Sequence, residues 1–586
     1  MRWFVSDFRM FRLLAAAEPK RVCVQILASC LRYAYGAVYA LVFFRYLINA
    51  LESGAPLLST AAFFLLFSLL GLLDAGLNAY LRDELLPSSD ERLRAWLLER
   101  LCEKTSGGGI APYENPKTLD ERARAAETAR EGALEFLGTA ADFCALLLGL
   151  GWSLGFACAV EPRVMLPVLL ALSLSLFGQR ARSQSLFALQ RDLASPARRA
   201  DVAAGTFFGR AYAKELRLSR VGECLRALYD RALRDQQSAV KAHATRAAAL
   251  GALAEMGVEC LLYVLVYLLI CHRYLAHRAF GLGDLTSLFG ATVNLIYFSH
   301  ALLAAYASLR RQGLSFSAFH GVLESRPDLA DGGAPCAFAR EIRFEGVGFS
   351  YGGKPVLKNL NLCLKKGERV ALVGLNGCGK TTLVKLLLRL YDPTEGRILM
   401  DGRDIRDFDL RAYRAMFAAV FQDFQLYALT VEENVSLGEE GAARRAGEAL
   451  RLAGLALDPS RELTRQFDPD GLVLSGGQAQ RIAAARILAS DAPIAVLDEP
   501  SSALDPLAER DAYETLLRAC AGRTLLLISH RLSSVRDVDR VLYLEEGRVL
   551  EQGSHQALMR LGGRYAALYN QQAEAYRKEV CAHEEP

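Results

Sequence analysis

A lysine set behind a run of glycines is the first group in this chain with the means to do chemistry. "GLNGCGKTT" (374–382) follows the apolar stretch "RVALV" and precedes "LVKLLLRL". Strand, glycine loop and helix in that order make a phosphate cradle, a P-loop. The glycines let backbone N–H groups curl round an anion, and a helix N-terminus faces it. Lys380 is then placed to reach β- and γ-phosphates, and Thr381 to put its hydroxyl on Mg²⁺. Further along, "IAVLDEP" (494–500) is an apolar strand ending in two acids. Asp498 is placed to hold the Mg²⁺ shell and Glu499 to polarise an attacking water. A third apolar strand, "LLLISH", ends in His530.

Between the loop and the acids lies "LVLSGGQAQR" (472–481), which holds no strong acid, base or metal ligand in its core. With the P-loop, "LSGGQ", "LDEP" and His530 in this order, residues 341–575 resemble the ATP-binding cassette family. The whole chain resembles a type IV exporter half-transporter of that family, membrane domain first and cassette second. The resemblance implies an α/β P-loop NTPase domain of ABC type fused to an all-α transmembrane domain of six helices with long cytoplasmic extensions. It also implies ATP and Mg²⁺ as cofactors and ATP hydrolysis coupled to transport.

Residue roles follow from the same resemblance. Tyr351 in "FSYGG" would stack on adenine. Gly374, Leu375, Asn376, Gly377, Cys378, Gly379, Lys380, Thr381 and Thr382 would hold the phosphates. Gln422 in "VFQDFQLY" would sense Mg²⁺ and water, sharing the metal shell with Thr381 and Asp498. Glu499 would be the general base and His530 the γ-phosphate switch. Asp505 would communicate across a dimer. Leu474, Ser475, Gly476, Gly477 and Gln478 would face the nucleotide held by a second cassette, so a homodimer or heterodimer is implied. There, "LSGGQ" needs no acid or base, because a helix N-terminus binds an anion directly. "YENPKTLDERA" and "AKELRLSRVG" resemble the two coupling regions of the membrane domain.

Two departures stand out. Cys378 holds a position where Ser or Ala is commoner, and its setting among backbone donors at a helix start favours thiolate. "FDPDGLVLSGGQ" lacks the usual Gly-Glu-x-Gly approach to the signature.

The elements that must position these groups fill the rest of the chain. Its 586 residues exceed one ordinary domain, and 52% of them are hydrophobic. Apolar runs occupy 22–51, 57–81, 133–160, 164–177, 247–270 and 282–309. Most reach the roughly 20 residues needed to cross an apolar layer; the fourth is short and borrows flanking residues. Short loops join the runs in pairs. The long segments between the second and third, and between the fourth and fifth, are rich in Arg and Lys, which marks the cytoplasmic side. Both termini are therefore expected inside a multi-pass protein of the cell (inner) membrane. Residues 1–20 read as an amphipathic helix at the membrane surface, 21–312 as the membrane domain, 313–340 as a linker, 341–575 as the cassette and 576–586 as a tail.

Polar groups interrupt the apolar runs: Arg32, Arg45, Asp74, Asn78, Asp142, Glu255, Glu259, Asn294 and His300. A charge at a helix centre costs roughly 2.5–3.5 kcal/mol on insertion scales. Such groups either pair between helices or contact a transported solute. The thirteen cysteines show no CxxC pair and no zinc spacing. Net charge is only +4, which offers nucleic acid no broad basic surface. An exporter of a small or amphipathic solute or peptide is the first reading. A lipid or lipid-linked flippase and an exporter-fold importer share its architecture. A soluble ABC ATPase acting on nucleic acid is disfavoured by the apolar runs. No cysteine-protease domain precedes the first run, which argues against a leader-cleaving peptide exporter. The solute itself is not readable.

Overall fold

The computed structural model describes residues 2–209, 212–259, 264–277, 280–498, 515, 517–518, 520–529 and 535–583. Glu499, Asp505, His530 and Ala211 lie outside the described residues. The chain divides into two compact units. One comprises residues 1–106 and 117–325, the other residues 107–116 and 326–586.

The first unit is helical. Its main helices are α1 (Arg2–Ala17), α2 (Pro19–Ser53), α3 (Leu57–Ser106) and α4 (Pro116–Val160). They continue as α5 (Met165–Phe208), α6 (Val221–Glu259), α7 (Tyr267–His277) and α8 (Leu282–Glu324). Among the described residues, α2, α3, α4 and α8 are long and apolar enough to cross a bilayer. The fourth run begins one helix of 44 residues, α5. Its apolar stretch gives way to Gln179, Arg180 and Arg182. The fifth run is shared between α6 and the apolar helix Val264–Leu275.

An apolar cluster in this unit binds five helices, α2 through Val22. Leu93, Leu97 and Leu101 recur every fourth residue on α3 and are buried with Ala125, Ala129 and Phe136 of α4. Phe316, Phe319 and Val322 of α8 join them, and Phe136 meets Phe316 edge-on at 5.0 Å. Helical spacing of that kind turns one face into core. It explains why the helix continues through 313–324, where a linker was expected. Met10 and Leu14 of α1 are fully buried in the same cluster. This part of α1 is thus covered by protein, although its amphipathic sequence suggested a place on the membrane surface; Phe8 stays exposed.

Some polar groups within the helices find partners, whereas Asn294 Nδ2 and His300 Nε2 are buried without a hydrogen-bond partner among the described residues. Arg45 Nη2 lies 2.7 Å from Asp284 Oδ1, an ion pair between α2 and α8. Arg32 donates to Asn78, whose Nδ2 donates to Asp74 Oδ1 at 2.8 Å. Ser29 Oγ donates to Asp142 Oδ1 at 2.7 Å. Arg273 Nε donates to Glu161 Oε2 at 2.8 Å.

The second unit holds two sheets. The strands are β1 (Glu341–Tyr351), β2 (Lys354–Lys365), β3 (Arg369–Val373), β4 (Glu395–Met400), β5 (Arg403–Asp404), β6 (Phe417–Val420), β7 (Ile494–Asp498), β8 (Thr524–Ile528), β9 (Arg540–Glu545) and β10 (Arg548–Gly553). Four form an antiparallel sheet in the order β2-β1-β4-β5. Six form the order β10-β9-β3-β8-β7-β6, in which only the β10–β9 pair is antiparallel. Every residue of β7 and β8 is buried. Strands covered on both faces read as the continuous apolar runs seen in the sequence. Residues 326–340 also belong here: Leu329 and Phe338 are buried, and Ala330 accepts a hydrogen bond from the fully buried Arg389. The final helix runs from Arg564 to His583, into the expected tail.

Asp7 of α1 is a weak point of the helical unit. It is buried, and its Oδ1 has no hydrogen-bond partner among the described residues. Burial raises its pKa to about 7. A raised carboxyl pKa stabilises the folded state fully below the unfolded value and loses that contribution as pH rises through the folded value. The shift corresponds to up to about 4 kcal/mol. Asp7→Asn should therefore raise the thermal unfolding midpoint. Its advantage should grow from about pH 4 to about pH 7 and then level off. A constant difference across that range would show that Asp7 is not held neutral.

Candidate nucleotide site

Register places the sequence motifs along one edge of the six-stranded sheet. Strands β3, β8, β7 and β6 are mutually parallel neighbours. Leu372 pairs with Ile528, Ile528 with Asp498, and Leu497 with Val420. The carboxyl ends of all four strands therefore emerge together. The glycine loop follows β3, Asp498 ends β7, and Gln422 lies two residues beyond β6. Open α/β sheets bind ligands at this edge.

The loop between β3 and helix α9 (Lys380–Leu387) is shaped by close approach. A Cβ on Gly374 would lie 2.2 Å from the Leu544 carbonyl oxygen, so no other residue fits there. Gly379 has φ +109, and a Cβ there would lie 2.7 Å from Leu357 Cδ2. Lys380 is buried, and its ammonium donates to the carbonyls of Gly374 and Leu375 at 2.9 and 3.2 Å. Its positive charge is thus folded over the loop. Thr381 is exposed and Thr382 buried at the start of the helix. Asp498 is 3% exposed. A buried carboxylate at a strand end, next to a cationic loop, fits a hydrated divalent cation and a polyphosphate. Leu375, Asn376 and Gly377 form the exposed crest of the loop.

Cys378 behaves otherwise than its place in the loop suggests. It is 8% exposed and packs into the core between the two sheets. Burial pushes its thiol up, and the opposing pull of Lys380 and of backbone N–H groups does not restore it. Desolvation of the anion outweighs the helix start, so the thiolate expectation is overturned.

Tyr351 closes β1 at a two-residue hairpin, Gly352 and Gly353, both at positive φ. Its ring meets Phe349 edge-on at 4.8 Å and Tyr391 edge-on at 5.5 Å. The ammonium of Lys385, on α9, lies 5.7 Å from the Tyr351 ring centre. Lys385 also donates to Glu114 Oε1 at 3.0 Å, and the Tyr391 hydroxyl donates to Glu114 Oε2. Burial opposes ionisation of Glu114, but these two donors outweigh it and hold the carboxyl below its usual range.

Glu114 belongs to residues 107–116, the segment that packs with this unit. Ile110 N donates to Leu390 O, Gly109 N to Asp328, and Arg414 Nη2 to Gly108 O. The resemblance marked "YENPKTLDERA" as a coupling region, but its individual partners, hundreds of positions away, were not readable from it. The second expected coupling region contains the short helix Ala213–Leu218.

Ser475 caps helix α10 (Gly476–Ala489). Its hydroxyl accepts from Gln478 N at 3.3 Å, while Gln478 Oε1 accepts from Ser475 N at 3.0 Å. This reciprocal cap fixes the direction of the helix start. Ser475, Gly476 and Gln478 are exposed, Gly477 and Leu474 half-buried. One side of the helix packs with Val431, Val435 and Leu450, and another, through Ala483 and Ile487, packs on the six-stranded sheet beside Val420 and Leu497. Two kinds of surface are therefore present: a cationic loop with a buried acid, and an exposed helix start rich in free N–H groups.

Known proteins share these features. Residues 357–502 match the family model described as ABC transporter. Over the whole fold, a bacterial Atm1-family ABC exporter with ATP bound superposes with a TM-score of 0.80. It is 25% identical, and the match covers 95% of this chain and 99% of that one. Residues 357–502 therefore carry an ABC transporter domain, and the fold as a whole is that of an ABC exporter. Among curated relatives, an ATP-dependent lipid A-core flippase of Chromohalobacter salexigens is 41% identical over 270 residues, 45% of this chain and 47% of the relative. The flippase of the same name from Burkholderia orbicola is 44% identical over 264 residues, 43% and 44% of the two chains. That from Methylobacillus flagellatus is 37% identical over 341 residues, 56% and 57%. The chain spans about half the length of these curated relatives. Its architecture is that of the ABC exporters, a helical membrane domain followed by an α/β cassette, and it is an integral, multi-pass membrane protein.

The buried thiol gives the ABC cassette a measurable signature. Only thiolate is alkylated at a useful rate. The exposed Cys102 and Cys224 should react with iodoacetamide first. Cys378 should lag at neutral pH, gain rate as pH rises through the alkaline range, and be protected by ATP. Peptide mapping by mass spectrometry reads the order. Modification of Cys378 at neutral pH as fast as Cys102 would mean that the thiol is not buried.

Proposed function

We propose that this chain is one half of an ATP-driven transporter, working as a dimer by alternating access and exporting a small or amphipathic solute or peptide. One observation carries the reading. The cationic loop and buried Asp498 share one sheet edge, whereas the exposed Ser475 cap sits at the start of a separate helix with its N–H groups open. The loop offers binding without a complete anion cage, and the cap offers N–H donors without a phosphate of its own. Two copies, or this chain and a second half-transporter, complete both sites when each loop faces the other's cap.

In this reading Tyr351 stacks on adenine, and Lys380 with the N–H groups from Gly374 to Thr382 holds the phosphates. Thr381, Gln422 and Asp498 hold Mg²⁺, which neutralises phosphate charge when bound. Glu499 orients the water and His530 reads the γ-phosphate. Leu474 to Gln478 face the partner's nucleotide, and Asp505 reports between sites. Nucleotide that bridges Lys380 of one chain and Ser475 of the other binds the closed dimer better than the open one. Only that difference in affinity can shift the equilibrium. Segment 107–116 rests on the cassette through Glu114 and is continuous in sequence with α3 and α4. It is therefore suited to carry cassette closure into the membrane helices. The termini lie on the cytoplasmic side of the cell membrane.

The names of the curated relatives favour a second reading of the cargo, a lipid or lipid-linked molecule turned from one leaflet to the other.

Complementation tests the shared site. Lys380→Ala and Ser475→Arg should each abolish ATP hydrolysis alone. Co-expressed mixed dimers contain one doubly defective site and one intact site, and should recover partial turnover. Full activity in either single variant would defeat the model. Within a homodimer, Glu499→Gln should keep ATP binding and lose turnover by roughly 10²–10⁴-fold. Near-normal hydrolysis would remove Glu499 from the role of base.

A further inference from the structure

The helical unit contains a polar pocket of about 180 Å³ between α2, α3 and α4. Its polar lining is Gln25, Ser29 and Arg32 from α2, Asn78 and Arg82 from α3, and Asp142 from α4. The pocket lies at the end of these helices that adjoins the basic extensions.

Two features separate this lining from the other polar groups of the unit. Arg45 is neutralised by Asp284. Arg32, Arg82 and Asp142, by contrast, make no ion pair among the described residues. Arg32 spends one N–H on Asn78, and Asp142 accepts one hydroxyl, from Ser29. Both keep hydrogen-bonding capacity. Asn78 is held in turn by Asp74, so the arginine is steered by a fixed amide. The second feature is an unmet acceptor. Gln25 Oε1 is buried without a hydrogen-bond partner, and its amide packs closely on Gly138, where a Cβ would lie 3.3 Å from Gln25 Nε2.

We propose that this pocket binds a zwitterionic group, a primary ammonium joined by a short linker to a phosphate. Asp142 and the Gln25 amide oxygen accept from the ammonium, and Arg32 and Arg82 donate to the phosphate. A group of one charge would satisfy half the lining and face repulsion from the rest. The volume admits a headgroup of this size. The inference rests on the transport reading above, since it names the chemistry of the cargo. The same chemistry is found in a phosphoethanolamine lipid headgroup and in free phosphoethanolamine.

Native mass spectrometry of the full-length protein in detergent tests it, with phosphatidylethanolamine, phosphatidylcholine and phosphatidylglycerol of matched chains as probes. Wild type should retain phosphatidylethanolamine about tenfold better than the other two, the equivalent of one well-made charged contact. Phosphatidylcholine fails because its quaternary ammonium has no proton to donate. Asp142→Asn should reduce phosphatidylethanolamine to the level of phosphatidylglycerol. Arg32→Gln should weaken all three. Displacement of the lipid by free phosphoethanolamine points to a soluble source; a lipid preference without displacement points to the headgroup. Equal retention of the three lipids by wild type together with no effect of phosphoethanolamine overturns the proposal. So does a preference that survives Asp142→Asn. If that variant does not fold, the wild-type comparison decides alone. ATP turnover of the same preparation keeps the two readings apart. Turnover without preference removes the pocket only, and preference without turnover removes the transport reading only.

Discussion

The parallel register of β3, β8, β7 and β6 is the constraint on which the candidate site depends. Among the described residues, the glycine loop follows β3, Asp498 ends β7 and Gln422 lies just beyond β6, and none of them is near another in sequence. A slip of one residue between β7 and β8 would move Asp498 by about 3.3 Å and turn its side chain to the other face. What prevents the slip is burial: every residue of both strands is covered. Apolar packing with no chemical function of its own thus sets the geometry of the charged groups.

The cassette also builds its own docking surface. Arg389 is fully buried, and its guanidinium ties Ala330, Phe408 and Asp392 together. Arg414, half-buried, reaches the Gly108 and Arg389 carbonyls. Burying a cation such as Arg389 is costly unless its donors are satisfied. Here carbonyls and a carboxylate receive them. Those same bonds hold the incoming residues 326–340 and 107–109. Lys385 adds a link between this surface and the nucleotide edge. It stands on the helix that begins at Lys380, beside the Tyr351 ring, and holds Glu114.

What could be read from the sequence follows from this. Lys380, Asp498 and the Ser475 cap were legible because a strand, a loop and a helix start are local, and each motif carries its own geometry. The long apolar helices were legible for the same reason. Cys378 was not, because its neighbours in sequence say thiolate while its neighbours in space remove water. Glu114 and Lys385 are 271 residues apart, and nothing in either local pattern names the other. The helix through 313–324 was hidden by polar residues on its outer face, although Phe316, Phe319 and Val322 already showed the spacing of a buried stripe. Met10 and Leu14 looked like a membrane-facing stripe because lipid and protein core ask for the same residues.

The polar groups among the membrane helices divide by the same physics. A charge in an apolar layer must be met by an opposite charge, a hydrogen-bond partner or a polar visitor. Arg45 is met within the chain, by a helix that the fold holds permanently against it. Such a pair can do little beyond fixing two helices, because breaking it leaves both charges exposed to the apolar layer. Arg32 and Asp142 are only partly met, one by an amide and one by a hydroxyl. Neutral partners orient a charge without cancelling it. The charges of the pocket therefore keep their attraction for something outside the chain, and their cost falls when it arrives. Identity of residue type does not separate the two cases, since each contains an arginine and an aspartate. What separates them is whether the fold supplies the countercharge itself.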